Sequence, residues 1–583
     1  MTSTVTPLPH SSPHDPALRS RGPLARRIGL AALVAFVLLL TRAWPRARWP
    51  DVWGEDGTEF LRGYFEHGAA FVLEPVAGYL ILVPKLITLA AVQVGLSVYP
   101  EVSIALAWVA TVAIACVIAT APVLLRGGLL LAVACLLVPS DAEVFGLPLY
   151  VLWWTAIPLL MLVFWDPADT GWRYRASLLA AGSLSSPMGV AVLPLLWLRA
   201  LLLRARPLER RLALLATAFA ALQLWMLTHT DGTVAAGLDR SLGSTLLEIP
   251  PKFIGAYAIG NLLPADAPHA GLVDWGAALV LLALVAAGLR RDARNPVLWG
   301  LVALWTMSVA MSVSRVSAAV LDPVTAGPRY FFFPYLLAGW LLLQLALGSP
   351  AAWIRTTSWA MLALAGANAW PVLTRMHEPL HWRAHVGTCA QFSHHRLPVH
   401  RGGSAADIWH LELSAEQCRG AIARDLWARR HPLPSYPLQY GGELAAGTPA
   451  PRLASVSALV RNDGWNGVDF ETAYTGKPSI GADSRIVGSL ATGSSDAGSI
   501  RLRLRRGDQV WYRTEPVARL QRIAVSVPGA RFEPPPTPAT RDWVLLDFSS
   551  AALPATFDVE FTDGGDGWGE WSAVALKIDG PAR

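Results

Sequence analysis

Carboxylates are concentrated in one stretch of the sequence, residues 43–75, which we call the acidic loop. They are Asp51, Glu55, Asp56, Glu59, Glu66 and Glu74, in the run RWPDVWGEDGTEFLRGYFEHGAAFVLEP. Carboxylates take up protons from reacting hydroxyls and stabilise developing positive charge, which suits them to group transfer. A connection between two apolar segments needs only a few residues, so the length of this loop indicates a function. The alternative is a solvated loop in which Asp56 and Gly57 only form a turn.

A lysine follows the acidic loop inside an apolar run. Lys85 lies in GYLILVPKL, and an ionisable side chain at membrane depth is a candidate for a functional site. Two arginines, Arg315 and Arg329, flank a short connection between later apolar runs, and Tyr330 follows Arg329. Arginine can bind two phosphate oxygens at once, so these residues are candidates for binding a phosphorylated substrate. The alternative is that both arginines only extend toward the membrane surface within a belt of aromatic residues.

The composition indicates that these segments lie in a lipid bilayer. Of the 583 residues, 53% are hydrophobic and 15% are charged, against about 25% charged residues in soluble proteins. The net charge of +6 comes from arginines beside apolar segments, which is typical of membrane proteins. These arginines form no basic stripe with interleaved aromatics, so nucleic acid is not a predicted partner. The sequence also lacks a phosphate loop, an HExxH motif and a CxxC pair, which excludes several common classes of soluble enzyme.

About eleven apolar runs are candidate transmembrane spans, because a helix of roughly 20 residues crosses a bilayer. They cover residues 28–40, 76–95, 101–123, 127–139, 147–165, 176–200, 211–228, 272–289, 297–314, 330–347 and 351–371. The arginine-rich segments 199–211 and 290–294 are predicted to be cytoplasmic. Residues 1–23 are then a disordered cytoplasmic tail, residues 24–371 are a transmembrane domain, and the acidic loop is its first periplasmic loop.

The run at residues 127–138 is too short to span a bilayer comfortably and can be interpreted in two ways. In the first, Glu143 lies in a cytoplasmic loop. In the second, residues 127–138 and 176–184 are half-helices that turn at PSDAEVFG and SSPMG and line a polar cavity. Glu143 would then reach the cavity and could orient the hydroxyl of an acceptor.

The sequence changes character after Trp370. Residues 372–452 are polar and are predicted to form a periplasmic connecting region. In residues 453–583, apolar residues alternate with polar ones in short runs bounded by Gly, Pro and Asp, which predicts a soluble periplasmic β-sandwich or jelly-roll domain. One such run contains Ile500, Leu502 and Leu504.

Two cysteines, Cys389 and Cys418, fall in this outer part of the chain. In an oxidising compartment they are expected to form a disulfide, and two free thiols are the alternative. Three histidines recur nearby at every fourth position, namely His377, His381 and His385. A helix would align them for metal binding, but Pro379 interrupts it, so no metal ligand is assigned. No cofactor is predicted, and a divalent cation at the carboxylates is left open.

Several motifs resemble those of the GT-C superfamily of membrane glycosyltransferases, over about residues 24–371. They are WGEDGTEF, GYLILVPKL, PSDAEVFG before WWTAIPLL, LSSPMGVAVLPLLWLR and GPRYFFFPYLL. Members of that superfamily take a sugar from a polyprenyl-phosphate carrier and use an acidic residue of the first outer loop as the catalytic base. The resemblance implies this role for Asp56 or Glu55. The acidic motif here is an adjacent Glu-Asp pair, whereas the pair in the family is spaced.

Together these expectations describe a multi-pass glycosyltransferase of a bacterial inner membrane. It would transfer a hexose or pentose from a polyprenyl-phosphate carrier in the membrane to an extracytoplasmic glycan or lipid. One alternative is a transporter or flippase of a lipid-linked glycan, for which the expected inverted repeat is not visible in the sequence. The other is a non-catalytic assembly protein whose β domain binds a partner or a glycan, which would need no carboxylates beside a membrane-depth lysine.

Overall fold

The computed structural model describes residues 21–579 except 205, 230–241, 265–270, 392–393, 402–407, 438, 442–451, 482, 492–493, 496, 516–519, 535–542 and 566–569. The predicted tail, up to residue 20, lies outside the described residues. Six of the described helices are long and apolar enough to cross a membrane: Leu24–Arg48, Tyr99–Thr120, Pro207–His229, Leu272–Arg291, Pro296–Arg315 and Pro328–Gly348. The chain therefore has the helices of a multi-pass membrane protein, followed by a β-sheet region.

We number the described α-helices in chain order. They are α1 (Arg21–Arg48), α2 (Arg62–His67), α3 (Leu82–Val94), α4 (Tyr99–Thr120), α5 (Gly128–Leu136), α6 (Val151–Val163), α7 (Trp172–Ser183), α8 (Met188–Leu202), α9 (Pro207–His229), α10 (Leu242–Ile249), α11 (Ala256–Ile259), α12 (Leu272–Arg291), α13 (Pro296–Arg315), α14 (Phe332–Gly348), α15 (Ala352–Ala369), α16 (Trp382–Cys389), α17 (Ala415–Arg424) and α18 (Phe470–Thr475). Short π- or 3₁₀-helical turns occupy Asp56–Leu61, Gly68–Leu73, Ala142–Val144, Pro250–Gly255, Gly260–Leu262, Pro328–Phe331, Trp370–Val372 and Val456–Ala458.

Helix α14 forms the centre of the helical part. Its span is 89% buried, against 17% for the span in α1. Helices α5, α12, α13 and α15 all pack against α14, and α14 is apolar on almost all of its surface, with Gln344 as a buried polar exception. Helix α1 instead exposes Leu33, Phe36 and Val37, as expected for a helix with one face toward lipid.

Helices α5 and α6 are both short and are joined by a non-α-helical loop, residues 137–150. Helix α5 has 9 residues and is about 14 Å long, less than half of the roughly 30 Å of a hydrocarbon core. The start of α5 and the end of α6 lie together, since Leu124 donates its N–H to Phe164 O at 2.8 Å and Asp166 donates to Pro122 O at 2.8 Å. Residues 137–150 therefore form the far end of this pair, as the half-helix interpretation expects.

The connecting region after α15 contains α16, α17 and two antiparallel strands, β1 (His394–His400) and β2 (Ile408–Ser414). It packs on the acidic loop, because His400 donates its N–H to Val52 O at 2.8 Å and accepts from Gly54 N at 2.7 Å. A disulfide joins Cys389 at the end of α16 to Cys418 in α17. The two parts of the chain therefore form one unit on the side of the protein that carries the acidic loop.

Helix α3 corrects the sequence prediction of a span at residues 76–95. It has 13 residues, about 20 Å in length, and its end contacts the connecting region. Leu426 donates its N–H to Val94 O at 3.0 Å, and Ser97 donates to Asp425 Oδ2 at 2.7 Å. Since the connecting region lies on the side of the acidic loop, both ends of α3 are on that side and α3 does not cross the bilayer. The predicted span 176–200, in turn, is two helices, α7 and α8, joined by the turn at residues 184–187.

Among the described residues, the C-terminal region consists of antiparallel strands in two five-stranded sheets, with orders β11-β10-β13-β8-β4 and β3-β12-β9-β14-β5, and in one two-stranded sheet, β6-β7. The strands are β3 (Gln439–Gly441), β4 (Leu459–Asp463), β5 (Ser484–Gly488), β6 (Leu490–Ala491), β7 (Ser494–Ser495), β8 (Gly498–Arg505), β9 (Gln509–Thr514), β10 (Gln521–Val527), β11 (Ala530–Phe532), β12 (Val544–Asp547), β13 (Thr556–Asp563) and β14 (Ser572–Lys577). The two sheets share one apolar core, and the alternation predicted for β8 is confirmed because Ile500, Leu502 and Leu504 are fully buried.

Candidate active site

Asp56 is buried at the start of the π-helical turn that follows the first residues of the acidic loop. Its side chain is about 3% exposed, and its Oδ1 accepts from the backbone N–H of Leu149 at 2.8 Å. Two glycines allow this packing. Gly54 has a φ of +46°, which favours glycine, and a Cβ on Gly57 would collide with the Val399 side chain. The WGEDG sequence therefore folds as a tight turn pressed against β1.

The environment of Asp56 changes its acidity. Burial raises the pKa of Asp56 well above its ordinary value, the hydrogen bond from Leu149 opposes this rise, and the charge of Glu55 adds to it. A carboxylate that binds its proton more tightly than usual is a stronger base once it is ionised. This is the property that a general base needs.

Asp56 lies in the wall of a cavity of about 260 Å³. Glu55, Glu143, Arg329 and Arg401 also line it, together with aromatic and aliphatic side chains. Glu143 belongs to the α5–α6 loop, so the structure brings this loop and the acidic loop to one cavity. This is the location that the half-helix interpretation gives to Glu143.

A larger cavity of about 630 Å³ adjoins the first and shares Glu143, Arg329 and Arg401 with it. We call the two cavities together the cleft. Asp141 and Arg375 are the further charged side chains that line the larger cavity among the described residues. The remaining lining comes from the segment before α14 and from Ser140, Ala142, Asn261, Pro371, Val372 and Thr374.

A network of charged side chains lies where the two cavities meet. Arg375 Nη1 donates to Glu143 Oε1 at 2.8 Å and lies 3.5 Å from Asp141 Oδ1. The Tyr150 hydroxyl donates to Glu143 Oε2 at 3.1 Å and accepts from Arg329 Nη1 at 2.9 Å. Burial and the nearby Asp141 raise the pKa of Glu143, and the charges of Arg375 and Arg329 oppose this rise. The contacts with Glu143 and Tyr150 therefore fix the positions of Arg375 and Arg329, and the guanidinium groups of both line the cleft.

Two buried arginines of α1 hold the α5–α6 loop in place. Arg42 donates to the carbonyl oxygens of Leu136, Val138 and Ser140, each at 2.9 Å. Arg46 donates to those of Ala142 and Phe145, at 2.6 and 2.8 Å. Buried backbone carbonyls need such partners. The α5–α6 loop is not α-helical, so the two arginines of α1 supply the donors that an α-helix would have supplied from its own backbone. Arg42 and Arg46 position Asp141 and Glu143 without lining the cleft themselves.

Of the other two predicted cations, Arg315 lies beside the cleft and Lys85 lies away from it. Arg315 lies over the ring of Tyr79 at 5.4 Å, and Arg329 over the ring of Tyr330 at 5.7 Å. Burial raises the pKa of Tyr79, and the charges of Arg315 and Arg329 lower it while Tyr330 and Glu55 raise it. These five residues therefore form one electrostatically coupled group next to the cleft, although Arg315 and Tyr330 are not among its lining residues.

Lys85 lies away from the lining of the cleft. Its Nζ donates to Phe71 O at 2.7 Å and to Glu74 O at 2.5 Å, and its side chain is buried against the rings of Phe60 and Phe71. An ammonium group bound to two carbonyls of the acidic loop anchors that loop to α3. In this structure Lys85 therefore binds the acidic loop and does not line the cleft.

No protein-family model and no curated protein matches this chain. Among solved structures, the arabinosyltransferase EmbB from Mycobacterium smegmatis matches it. The sequence identity is 11% and the TM-score is 0.29, and the match covers 97% of this chain and 65% of that chain. Similarity at this level assigns neither an activity nor a residue role. The proposed function therefore rests on the residues that line the cleft.

The cleft contains four residues predicted as candidates from the sequence, Glu55, Asp56, Glu143 and Arg329. Sequence reasoning missed four others that meet them there: Asp141, Tyr150, Arg375 and Arg401. Asp141 lies in the PSDAEVFG motif that indicated Glu143, so it was within reach of the same reasoning. Arg375 lies 232 residues from Glu143 in the sequence, and no local pattern indicates that contact.

Proposed function

We propose that this protein is a membrane glycosyltransferase that transfers a sugar from a polyprenyl-phosphate carrier to an extracytoplasmic glycan or lipid. One observation carries the proposal. The buried carboxylate of Asp56 shares a cavity with Glu55, Glu143 and the guanidinium group of Arg329. A base and a phosphate-binding cation in one enclosed space are the two groups that this reaction requires.

The charges of the cleft suggest how the donor lies in it. Among the described residues, three arginines and two carboxylates line the larger cavity, whereas two arginines and three carboxylates line the smaller one. The phosphate of the donor therefore fits the larger cavity, with Arg329, Arg375 and Arg401. The sugar then lies toward Glu55 and Asp56. A volume of about 630 Å³ is within the usual range of ligand cavities.

The chemistry follows from this placement. Asp56 accepts the proton of an acceptor hydroxyl as its oxygen forms a bond to the anomeric carbon of the sugar. The bond between that carbon and the phosphate oxygen breaks, and the phosphate leaves with the electron pair. Arg329 and Arg375 stabilise the charge on the leaving phosphate. Glu143, held by Arg375 and Tyr150, lies where it can orient the acceptor hydroxyl.

A direct test uses the purified chain in lipid nanodiscs with polyprenyl-phosphate-linked pentoses and hexoses as donors and with extracytoplasmic glycans and lipids as acceptors. We expect release of polyprenyl phosphate and loss of the sugar from the carrier. Replacing Arg375 or Arg329 by Gln should lower kcat/KM for the donor by about 10-fold or more, the effect of losing about 1.4 kcal/mol of transition-state stabilisation. Arg383→Gln is the matched control, since Arg383 pairs with Glu101 and does not line the cleft.

The rival proposal is a transporter of a lipid-linked glycan, which would use the same cleft without breaking a bond. It predicts that the carrier stays intact in nanodiscs and that the labelled carrier moves between leaflets in sealed vesicles. Intact carrier with every donor, together with such movement, would contradict the glycosyltransferase proposal.

A further inference from the structure

Three buried side chains from distant parts of the sequence meet next to the acidic loop. Asp51, His377 and His400 are 4%, 6% and 0% exposed. A carboxylate oxygen of Asp51 and one ring nitrogen of each histidine all lie within 4.8 Å of one another. None of the three residues lines the cleft among the residues that the structure describes, so the glycosyl-transfer proposal does not use them.

The histidines of this cluster have buried nitrogen atoms without hydrogen-bond partners. Neither ring nitrogen of His400 has one, and Nδ1 of His377 has none. Buried polar side-chain atoms nearly always have a partner in native proteins. Two imidazoles with unpartnered nitrogens beside a buried carboxylate therefore indicate a ligand that accepts their lone pairs.

We infer that Asp51, His377 and His400 bind a divalent transition-metal ion, with Zn²⁺ as the best fit. Nitrogen and oxygen ligands lie about 2.0–2.2 Å from Zn²⁺, so neighbouring ligand atoms of a tetrahedral site are about 3.3–3.6 Å apart. His400 Nε2 lies 3.5 Å from Asp51 Oδ2, which agrees with that spacing. Calcium and magnesium prefer oxygen ligands, whereas imidazole suits zinc.

The surroundings of the cluster resemble the outer contacts of known metal sites. Leu380 donates its N–H to Asp51 Oδ2 at 2.9 Å, which orients the carboxylate. His377 Nε2 lies 2.8 Å from Trp49 O and 3.9 Å from Asp51 Oδ2, so the carbonyl of Trp49 holds the imidazole with this nitrogen toward the cluster. The indole of Trp53 stacks on His400 with ring centroids 4.6 Å apart.

The ion would join three separate segments. Asp51 begins the turn that leads to Glu55 and Asp56, His377 follows α15, and His400 ends β1. None of the three ligands lines the cleft among the described residues, so the ion has a structural role and takes no part in the reaction, and a water molecule would supply the fourth ligand of a tetrahedral site. It holds the acidic loop against the connecting region, whether or not the cleft transfers a sugar.

The test is the metal content of the full-length protein, purified without a polyhistidine tag and dialysed against metal-free buffer. Mass spectrometry of the metals should find about one zinc ion per chain. His400→Gln and His377→Gln should each lower the zinc content to background. His395→Gln is the matched control, because His395 is equally buried but pairs with His385 at 3.2 Å, and this variant should keep its zinc.

A second measurement does not depend on the folding of any variant. A strong chelator should lower the melting temperature of the wild-type protein, and added Zn²⁺ should restore it. Co²⁺ in place of Zn²⁺ should give the visible absorption of a tetrahedral site with nitrogen and oxygen ligands. Wild-type protein without bound metal and without a Zn²⁺-dependent melting temperature would overturn the inference. Zinc retained by both histidine variants would also overturn it.

Discussion

Leu149 donates its backbone N–H to the carboxylate of Asp56 at 2.8 Å, and this bond joins the acidic loop to the α5–α6 loop. The position of Asp56 therefore depends on residues 137–150, whose carbonyls are bound by two arginines of α1. Three parts of the chain that are far apart in sequence thus fix one carboxylate. Changes in any of them should be measurable at the cleft.

The first prediction concerns Arg42. Arg42→Gln removes the donors to three buried carbonyls, so the α5–α6 loop should exchange its amide hydrogens faster. Each carbonyl left without a partner costs about 1–3 kcal/mol, and the melting temperature should fall. Hydrogen exchange of peptides covering residues 136–145 measures the effect. Arg48→Gln, at the exposed end of the same helix, is the control, and equal exchange in both variants would contradict the proposed support of the loop.

The second prediction concerns pH and stability. Because burial raises the pKa of Asp56 in the folded protein, the folded state holds this proton more tightly than the unfolded chain. Stability is therefore lost as the pH rises from about 3.8, the ordinary value, through the raised folded value. Asp56→Asn should melt at a higher temperature than the wild type at neutral pH, and the difference should shrink as the solution is acidified. The exposed Asp463→Asn is the control, and a gain of equal size there would show that burial of Asp56 is not the cause.

Local patterns were sufficient for part of this structure. The alternation in β8 and the apolar runs of the long helices reflect contacts with water or lipid at each residue, so they can be predicted from short windows. The loop carboxylates Glu55 and Asp56 were also identifiable, because the length of the acidic loop exceeds what a turn requires. The β-strand alternation and the long apolar helices therefore agree with the structure, whereas the role of the two carboxylates stays a prediction.

Contacts between distant residues were not predictable in the same way. An apolar helix such as α3 has the same composition whether it crosses the bilayer or lies along one side. The contact that decides this, between Ser97 and Asp425, spans 328 residues. Arg42 and Arg46 look like the arginines that end a membrane span, and their binding of loop carbonyls depends on the broken helix α5. The roles of these residues become visible only when the chain is folded.

The third prediction tests the course of α3. A reporter that is active only outside the cytoplasm, fused after Leu96 in a bacterial host, should be active because α3 does not cross the membrane. A crossing α3 predicts an inactive fusion. A fusion after Ala121, beyond α4, should be inactive and serves as the control. One predicted crossing is lost at α3 and one is gained because residues 176–200 form two helices, so the number of predicted crossings is unchanged. The C-terminal region is therefore still predicted to be extracytoplasmic. An active fusion after residue 371 checks this.

The fourth prediction concerns the disulfide between Cys389 and Cys418. Its cysteines are 29 residues apart, and closing a loop of this length stabilises a protein by on the order of 3–4 kcal/mol in the chain-entropy model. Replacing both cysteines by serine should lower the melting temperature, and so should reduction of the wild type. Labelling of denatured, unreduced protein should reach Cys116 and Cys135, which are free, and miss the other two. Labelling of all four would contradict the pairing.

The central claim is that Asp56 is the catalytic base, with Glu55 as the second candidate. The most direct measurement is the turnover of a polyprenyl-phosphate-linked sugar by purified Asp56→Asn, Glu55→Gln and, as a control from the same loop, Glu66→Gln. Asparagine keeps the size of the side chain and can accept the hydrogen bond from Leu149, so Asp56→Asn should fold. Its turnover should fall by about 10²–10⁴-fold, the usual effect of losing a general base, while Glu66→Gln stays near the wild type. Near-normal turnover by both Asp56→Asn and Glu55→Gln would contradict the account.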